Sequence, residues 1–101
     1  MPAPPAVTEL HREMTAHPAE YRRELGLAFP DGMTLAADGA GARVVVGDVT
    51  LDVSWQVGAP CTIGLLHLPS LRVSLRFSGA DCAAHRAVLA RMDLAMHRGG
   101  G

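Results

Sequence analysis

The sequence predicts an α+β fold, a two-layer sandwich in which an antiparallel meander of four or five strands carries helices on one face. Three observations lead to this prediction. The stretch from Arg43 to Phe77 has the composition of strands, and its last segment, 71–77, alternates apolar and polar residues without interruption. Segments with helical spacing stand before and after it. Because an N-terminal and a C-terminal helix can cover the apolar face of one sheet together, two layers are favoured.

The composition predicts one domain formed by residues 1–101, with residues 1–6 and 99–101 disordered. Of the 101 residues, 49% are apolar and 19% are charged, which is typical of a globular chain. Neither a basic leader followed by an apolar core nor an apolar run long enough to cross a bilayer is present. A cytoplasmic location without membrane contact is therefore predicted.

The charge balance argues against binding to nucleic acid. The formal net charge is −1 and aromatic residues make up only 4% of the chain, so neither a cationic surface nor a base-stacking platform is indicated. All nine basic residues are arginine. A GC-rich coding sequence explains that choice most simply, and bidentate binding of anions is the functional alternative.

Two helical segments are predicted before the strands. The first begins near Thr8, which can cap it, and it places Leu10 and Met14 on one face. Pro18 interrupts this run because proline lacks an N–H group, and a second helix begins with Pro18 in its first turn. One bent helix and two separate helices both fit this pattern. The apolar face of the second segment consists of Tyr21, Leu25 and Ala28.

The first hairpin is predicted at Gly47-Asp48. A two-residue turn here pairs the strands so that Arg43 stands opposite Asp52. A short strand over 33–37 is expected before this hairpin.

The later strands are predicted to pair in chain order, 49–57 with 61–68 and 61–68 with 71–77. A slip of one residue inverts every side chain, so only a three-residue loop at 68–70 keeps one continuous apolar face. The core face then comprises Val44, Val46, Val49, Leu51, Val53, Trp55, Val57, Cys61, Ile63, Leu65, His67, Leu71, Val73, Leu75 and Phe77.

The last helix is predicted to begin after the segment 78–81, with Ser78 or Asp81 as its cap. Its apolar stripe spans about 120° at about 100° per residue, which is typical of a helix that faces a core. The stripe contains Asp81, His85, Val88, Leu89, Met92, Ala95 and Met96.

Four residues are candidates for a ligand pocket between this helix and the sheet: Cys61, His67, Cys82 and His85. Cys82 and His85 are three residues apart on a helix, which is a usable spacing for metal ligands. Cys61 and His67 are about 20 Å apart on a straight strand, too far to complete a site at one ion. No metal site and no cofactor are therefore predicted.

His85 has two interpretations. As a core residue it would bond to the backbone or to the Asp81 side chain, four residues earlier. As a functional residue it would be a general base that Asp81 orients beside the pocket. No serine or cysteine is identified as a nucleophile that pairs with it.

The outer sheet face carries a candidate interaction surface formed by Val45, Leu66, Leu68, Arg72 and Arg76. Its apolar members, with Gly64 leaving room at the centre, suit protein contact or self-association. A solvated face with charge pairs across the strands explains the arginines more simply. The strand 71–77 is also a candidate edge, which Arg72 and Arg76 would guard against unspecific pairing.

Two functions of different classes follow. The first is a small non-enzymatic binding module that contacts a protein partner or a second copy of itself through the outer sheet face or a sheet edge. The second is a small-molecule-binding protein or enzyme with a pocket between the last helix and the sheet. The arrangement of elements is shared by many small α+β folds and does not transfer a function.

Overall fold

Seven strands and two helices form the part of the chain that the computed structural model describes, residues 6–96. In chain order they are β1 (Val7–Met14), α1 (Pro18–Ala28), β2 (Met33–Leu35), β3 (Gly41–Val46), β4 (Val49–Val57), β5 (Cys61–Ile63), β6 (Leu66–Leu68), β7 (Leu71–Ser78) and α2 (Cys82–Met96). The disorder predicted for residues 1–6 and 99–101 concerns positions that, apart from Ala6, lie outside the described residues.

The main sheet has five antiparallel strands in the order β1-β7-β4-β3-β2. Together with the C-terminal helix and one other helix, it confirms the α+β class. The hairpin of β3 and β4 has the predicted register, with Arg43 opposite Asp52. The short strand expected over 33–37 is β2, three residues long. The sheet is more than a meander, because β1 and β7 are neighbours although they lie at opposite ends of the strand series.

The segment that begins near Thr8 is a strand, so the predicted first helix is wrong. Alternate residues of β1, starting with Thr8, are partly buried, and the residues between them are exposed. Leu10 and Met14 are four residues apart, a spacing that places two side chains on one face at a period of 2 as well as at 3.6. Backbone pairing decides in favour of a strand over a helix, because all eight residues of β1 pair with β7. The second predicted segment is the helix α1.

The core lies between the sheet and the two helices. Along β4 and β7 alternate residues are buried, and these residues stand opposite each other, as Leu51 does with Phe77. α1 buries its predicted face. α2 buries His85, Val88 and Met92. In the described part of the chain, no helix lies over the intervening residues on the other side of the sheet, so the main sheet has one covered face and one open face.

Both helices begin as their sequences indicate. α1 has Pro18 in its first turn. α2 is capped by Asp81, whose carboxylate accepts a 2.8 Å hydrogen bond from the Ala84 N–H. Within residues 6–96, neither helix has the length and apolar character needed to cross a membrane.

The stretch 61–68 is a separate two-stranded hairpin, not a strand of the main sheet. β4 pairs directly with β7, and β5 pairs only with β6. The loop predicted at 68–70 therefore connects two different sheets instead of closing a hairpin. The four residues of this stretch that the alternation assigns to the core are exposed, so this assignment is wrong for Cys61, Ile63, Leu65 and His67. We call residues 58–70 the arm.

The predicted edge strand is also different in the structure. β7, which contains 71–77, is covered by β1 on one side and by β4 on the other. The edges of the main sheet are β1 and β2. Arg72 and Arg76 therefore do not guard an edge.

Candidate functional site

The arm is a hairpin with one apolar side. Its base is closed by a 2.9 Å hydrogen bond from the Gly58 N–H to the Ser70 carbonyl. At its tip Gly64 has φ +60°, and Leu65 is not among the residues with positive φ, which fits a hairpin turn with glycine in its first central position. Because residues directly opposite each other share a face, one side of the arm carries Cys61, Ile63, Leu66 and Leu68.

The other side of the arm is polar. Thr62 and His67 stand opposite each other there, and the Thr62 hydroxyl lies 3.3 Å from the His67 Nδ1. No residue from 58 to 70 carries a charged side chain of the Asp, Glu, Lys or Arg type. The arm is thus an uncharged, amphipathic hairpin.

The arm exposes its large apolar side chains to an unusual degree. Leu65 at the tip is 98% exposed, Leu66 is 62% exposed and Ile63 is 59% exposed. Val57, at the end of the strand that leads into the arm, is 67% exposed. A contiguous exposed apolar surface of this kind is typical of a contact site.

The edges of the main sheet, in contrast, are protected against pairing with other chains. β1 carries charged residues on both faces, with Glu9 and Glu13 on the open face and Arg12 on the covered face. β2 is only three residues long. Charged edges, inward-pointing charges and short edge strands all prevent unspecific association. The strands of the arm are equally short, but they carry no Asp, Glu, Lys or Arg side chain.

Ion pairs between neighbouring strands lie on the open face of the sheet. Arg43 donates a 2.8 Å hydrogen bond to Asp52, and Arg76 lies 3.8 Å from Glu9. Arg72 lies 3.3 Å from Glu13. These pairs are exposed, so solvent screens them and they contribute little to stability.

The structure divides the predicted interaction surface between two places. Val45, which is 52% exposed, lies with Arg72 and Arg76 on the open face of the main sheet. Leu66 and Leu68 lie on the arm. Across the main sheet, Asp52 stands between Arg43 of β3 and Arg76 of β7.

A histidine–serine contact on the open face was not indicated by the sequence. His11 Nδ1 lies 3.0 Å from the Ser74 hydroxyl, at directly paired positions of β1 and β7. The two residues line a shallow groove of about 590 Å³. A serine nucleophile needs a histidine that a third group orients. No carboxylate of residues 6–96 bonds to His11, so the contact is that of a polar sheet surface.

The four predicted pocket residues lie in two regions. Cys61 and His67 are exposed on the arm, and Cys82 is exposed in the first turn of α2. His85, on the inner side of α2, is buried, 1% exposed. No group of three or more His, Cys, Asp or Glu residues in the described range is placed to hold a metal ion.

His85 is held by two hydrogen bonds and a ring contact. Its Nε2 lies 2.6 Å from the Gly79 carbonyl. Since a carbonyl only accepts, Nε2 donates this hydrogen bond, and Nδ1 is hydrogen-bonded to the Thr8 hydroxyl at 2.8 Å. The ring stacks on Phe77 at 5.8 Å between centroids. The Asp81 carboxylate is engaged in the helix cap instead.

A second groove lies on the helix side, where β1 ends, between the first turns of α1 and the second half of α2. Arg12 donates two hydrogen bonds to Asp93 across it, at 2.6 and 3.1 Å. Tyr21 forms part of its wall and contacts Trp55 edge to face, with 5.7 Å between ring centroids. Burial raises the pKa of Tyr21 to about 12, against the lowering effect of Arg12 and with a smaller raising effect of Asp93.

This raised pKa predicts a loss of stability at alkaline pH. The unfolded phenol ionises near pH 10 and the folded phenol near pH 12, so unfolding releases a proton between these values. Stability should be complete below pH 10 and should fall by about 2 kcal/mol as pH rises to 12. The chain has one tyrosine and no lysine, which leaves the phenol as the side chain that titrates in this window.

Urea unfolding at several pH values, with Tyr21→Phe as control, measures this effect. The variant should keep nearly the same free energy of unfolding from pH 9.5 to 11.5, whereas the parent should lose stability. Tyrosinate absorbance that appears in the folded protein with a midpoint near pH 10 would contradict the prediction.

Comparison with protein-family models, curated proteins and solved structures gives no match to the chain. The arm and the helix-side groove are therefore interpreted from their chemistry alone.

Proposed function

We propose that the protein is a small non-enzymatic interaction module that self-associates through its arm. The observation that carries this proposal is the uncharged arm with its exposed apolar side, on a molecule whose other strand edges are protected. The cytoplasmic location stays a prediction from the sequence.

The stability of the arm itself supports a contact role. A two-stranded hairpin without other support is marginally stable in water. Within residues 6–96 no other element covers the apolar side of the arm, since Ile63 and Leu66 are exposed. Burial of this side against another molecule would supply the missing stabilisation, at about 25 cal/mol per Å² of apolar surface.

A second copy of the chain is the partner that fits best. In a twofold dimer the same surface meets itself, so an apolar and uncharged surface matches without repulsion. A partner of opposite charge would need charges on the arm, and residues 58–70 have none. A stable interface uses about 20–30 residues on each side. The arm provides roughly half of that, so we expect a reversible dimer with Kd in the micromolar range.

Sedimentation equilibrium from micromolar to near-millimolar concentration tests this proposal. The parent protein should show a monomer–dimer equilibrium. The double substitution Ile63→Thr with Leu66→Thr keeps strand-forming residues but removes the apolar side of the arm. In a symmetric dimer each change counts twice, so Kd should rise by at least about 30-fold.

A matched variant removes two exposed leucines elsewhere. Leu27 and Leu94 are 70% and 83% exposed on the two helices, and the double substitution Leu27→Gln with Leu94→Gln should leave Kd within about twofold. A parent protein that is monomeric over the whole range would refute self-association. Equal weakening by both double variants would refute the assignment to the arm.

A further inference from the structure

The helix-side groove has features of a small-molecule site that the proposed self-association does not use. Its volume is about 660 Å³, within the range of pockets that hold small ligands. Met14, Met92 and Met96 contribute to its walls. Methionine side chains are flexible and polarisable, so they adapt to apolar molecules of different shapes.

The Tyr21 hydroxyl is a buried polar group of this groove that has no partner among the described residues. The residue is 2% exposed, and its hydroxyl makes no hydrogen bond within residues 6–96. All fully buried side-chain N and O atoms in this range have partners, so this hydroxyl keeps contact with the groove. Buried polar side chains are nearly always hydrogen-bonded. A ligand atom in the groove would provide the missing partner.

The charges around the groove restrict the ligand further. Arg12 uses two N–H groups on Asp93, and a guanidinium has five donors, so donors remain near Tyr21. These remaining N–H groups favour a ligand atom that accepts a hydrogen bond. The Arg12 guanidinium is already neutralised by Asp93, and the Glu13 carboxylate pairs with Arg72 on the open face. An anionic head group would therefore find no free counter-charge on the described groove wall, which leaves a neutral acceptor.

We infer that the groove between β1, α1 and α2 binds a small uncharged molecule with an apolar body and one carbonyl-type oxygen, such as a ketone or an ester. The apolar body contacts the methionine walls. The oxygen accepts a hydrogen bond from the Tyr21 hydroxyl. This inference does not depend on the dimer, because the arm contributes no residue to the groove.

Three probes with similar chains and different head groups test the ligand class. The probes are 2-nonanone, octanoate and octylamine. The fluorescence of Trp55, the only tryptophan, reports binding because its ring contacts Tyr21. The ketone should change the emission in a saturable way, and octanoate and octylamine should bind at least about tenfold more weakly. Equal binding of all three would overturn the inference, because it would show unspecific apolar contact.

Substitutions then locate the site. Tyr21→Phe keeps the ring beside Trp55 and removes only the hydroxyl, so affinity for 2-nonanone should fall by about fivefold to tenfold. Met96→Glu places a charge on the groove wall and should abolish binding. Leu94→Glu makes the same change two residues away, outside the groove, and should leave affinity unchanged.

Two results would refute the site. One is an emission that 2-nonanone does not change up to its solubility limit. The other is equal affinity of the parent protein and both groove variants. The arm variant Ile63→Thr with Leu66→Thr separates the two proposals: unchanged ketone binding in it keeps the ligand in the groove, and loss of binding would place the ketone on the arm.

Discussion

The His85→Ala variant is expected to unfold with a free energy about 3 kcal/mol below that of the parent protein. The ring is 1% exposed and stacks on Phe77, so its removal leaves a cavity in the core. Truncation of a large core side chain costs about 2–5 kcal/mol. It also leaves the Gly79 carbonyl and the Thr8 hydroxyl without their partner. Urea titration followed by Trp55 fluorescence measures the loss.

Thr8→Val is the matched variant for this experiment. It removes one hydrogen bond to His85 and keeps the size of the side chain, so the loss should be only about 1 kcal/mol. A loss below 1 kcal/mol for His85→Ala would contradict a core role.

The same variant separates the two interpretations of His85. A folded His85→Ala protein that still dimerises and still binds 2-nonanone would support a role confined to stability. Loss of ketone binding in a folded variant would favour the alternative, in which His85 acts on a ligand.

The parts of the fold that could be predicted are those set by local pattern. The hairpin at Gly47-Asp48 has a turn that sequence specifies, and its strands have the predicted register. The alternation of 71–77 and the stripe of α2 are equally local, and in both the buried residues are among those predicted. In each of these elements, the strand or helix period of the apolar residues is repeated over at least six residues.

The parts that could not be predicted depend on which strand pairs with which. β1 and β7 pair although they are about 65 residues apart in the chain, and a spacing of four between Leu10 and Met14 fits strand and helix equally. Similarly, period two in the stretch 61–68 predicts a strand but does not specify its neighbour. The arm is amphipathic, as a sheet strand is, but none of the elements between residues 6 and 96 covers its apolar side.

The candidate sites could not be fully predicted for the same reason, because they depend on contacts between distant segments. The sequence drew attention to His85, but its hydrogen-bond partners come from the distant Thr8 and from the backbone of Gly79. The sequence assigns Leu66 and Leu68 to an interaction surface on the outer sheet face. They lie on the arm instead, because β6 pairs with β5 and not with a strand of the main sheet. The sequence places Tyr21 on the apolar face of a helix, and its position in the wall of a groove follows only from the packing of β1, α1 and α2.

Gly79→Ala is the second substitution with a large expected effect, a loss of more than about 3 kcal/mol in the free energy of unfolding. Gly79 has φ +81°, and a side chain in this left-handed region costs about 1–2 kcal/mol. A methyl group here would also overlap the carbonyl oxygen of Asp48 in the β3–β4 turn. Relief of such a clash needs a backbone shift, at about 1–3 kcal/mol.

Comparison with Gly39→Ala isolates the contribution of this clash to the loss of stability. Gly39 has a similar φ of +72°, but nothing lies within 4 Å of the added methyl group, so only the conformational cost of about 1 kcal/mol applies. Equal losses in the two variants, measured by urea titration, would show that the turn at Asp48 moves freely. A larger loss for Gly79→Ala would mean that this turn is fixed against the end of β7. Because the Gly79 carbonyl accepts from His85, the shift would also weaken the attachment of α2 to the sheet. Gly79→Ala combined with His85→Ala should therefore lose less stability than the sum of the two single losses.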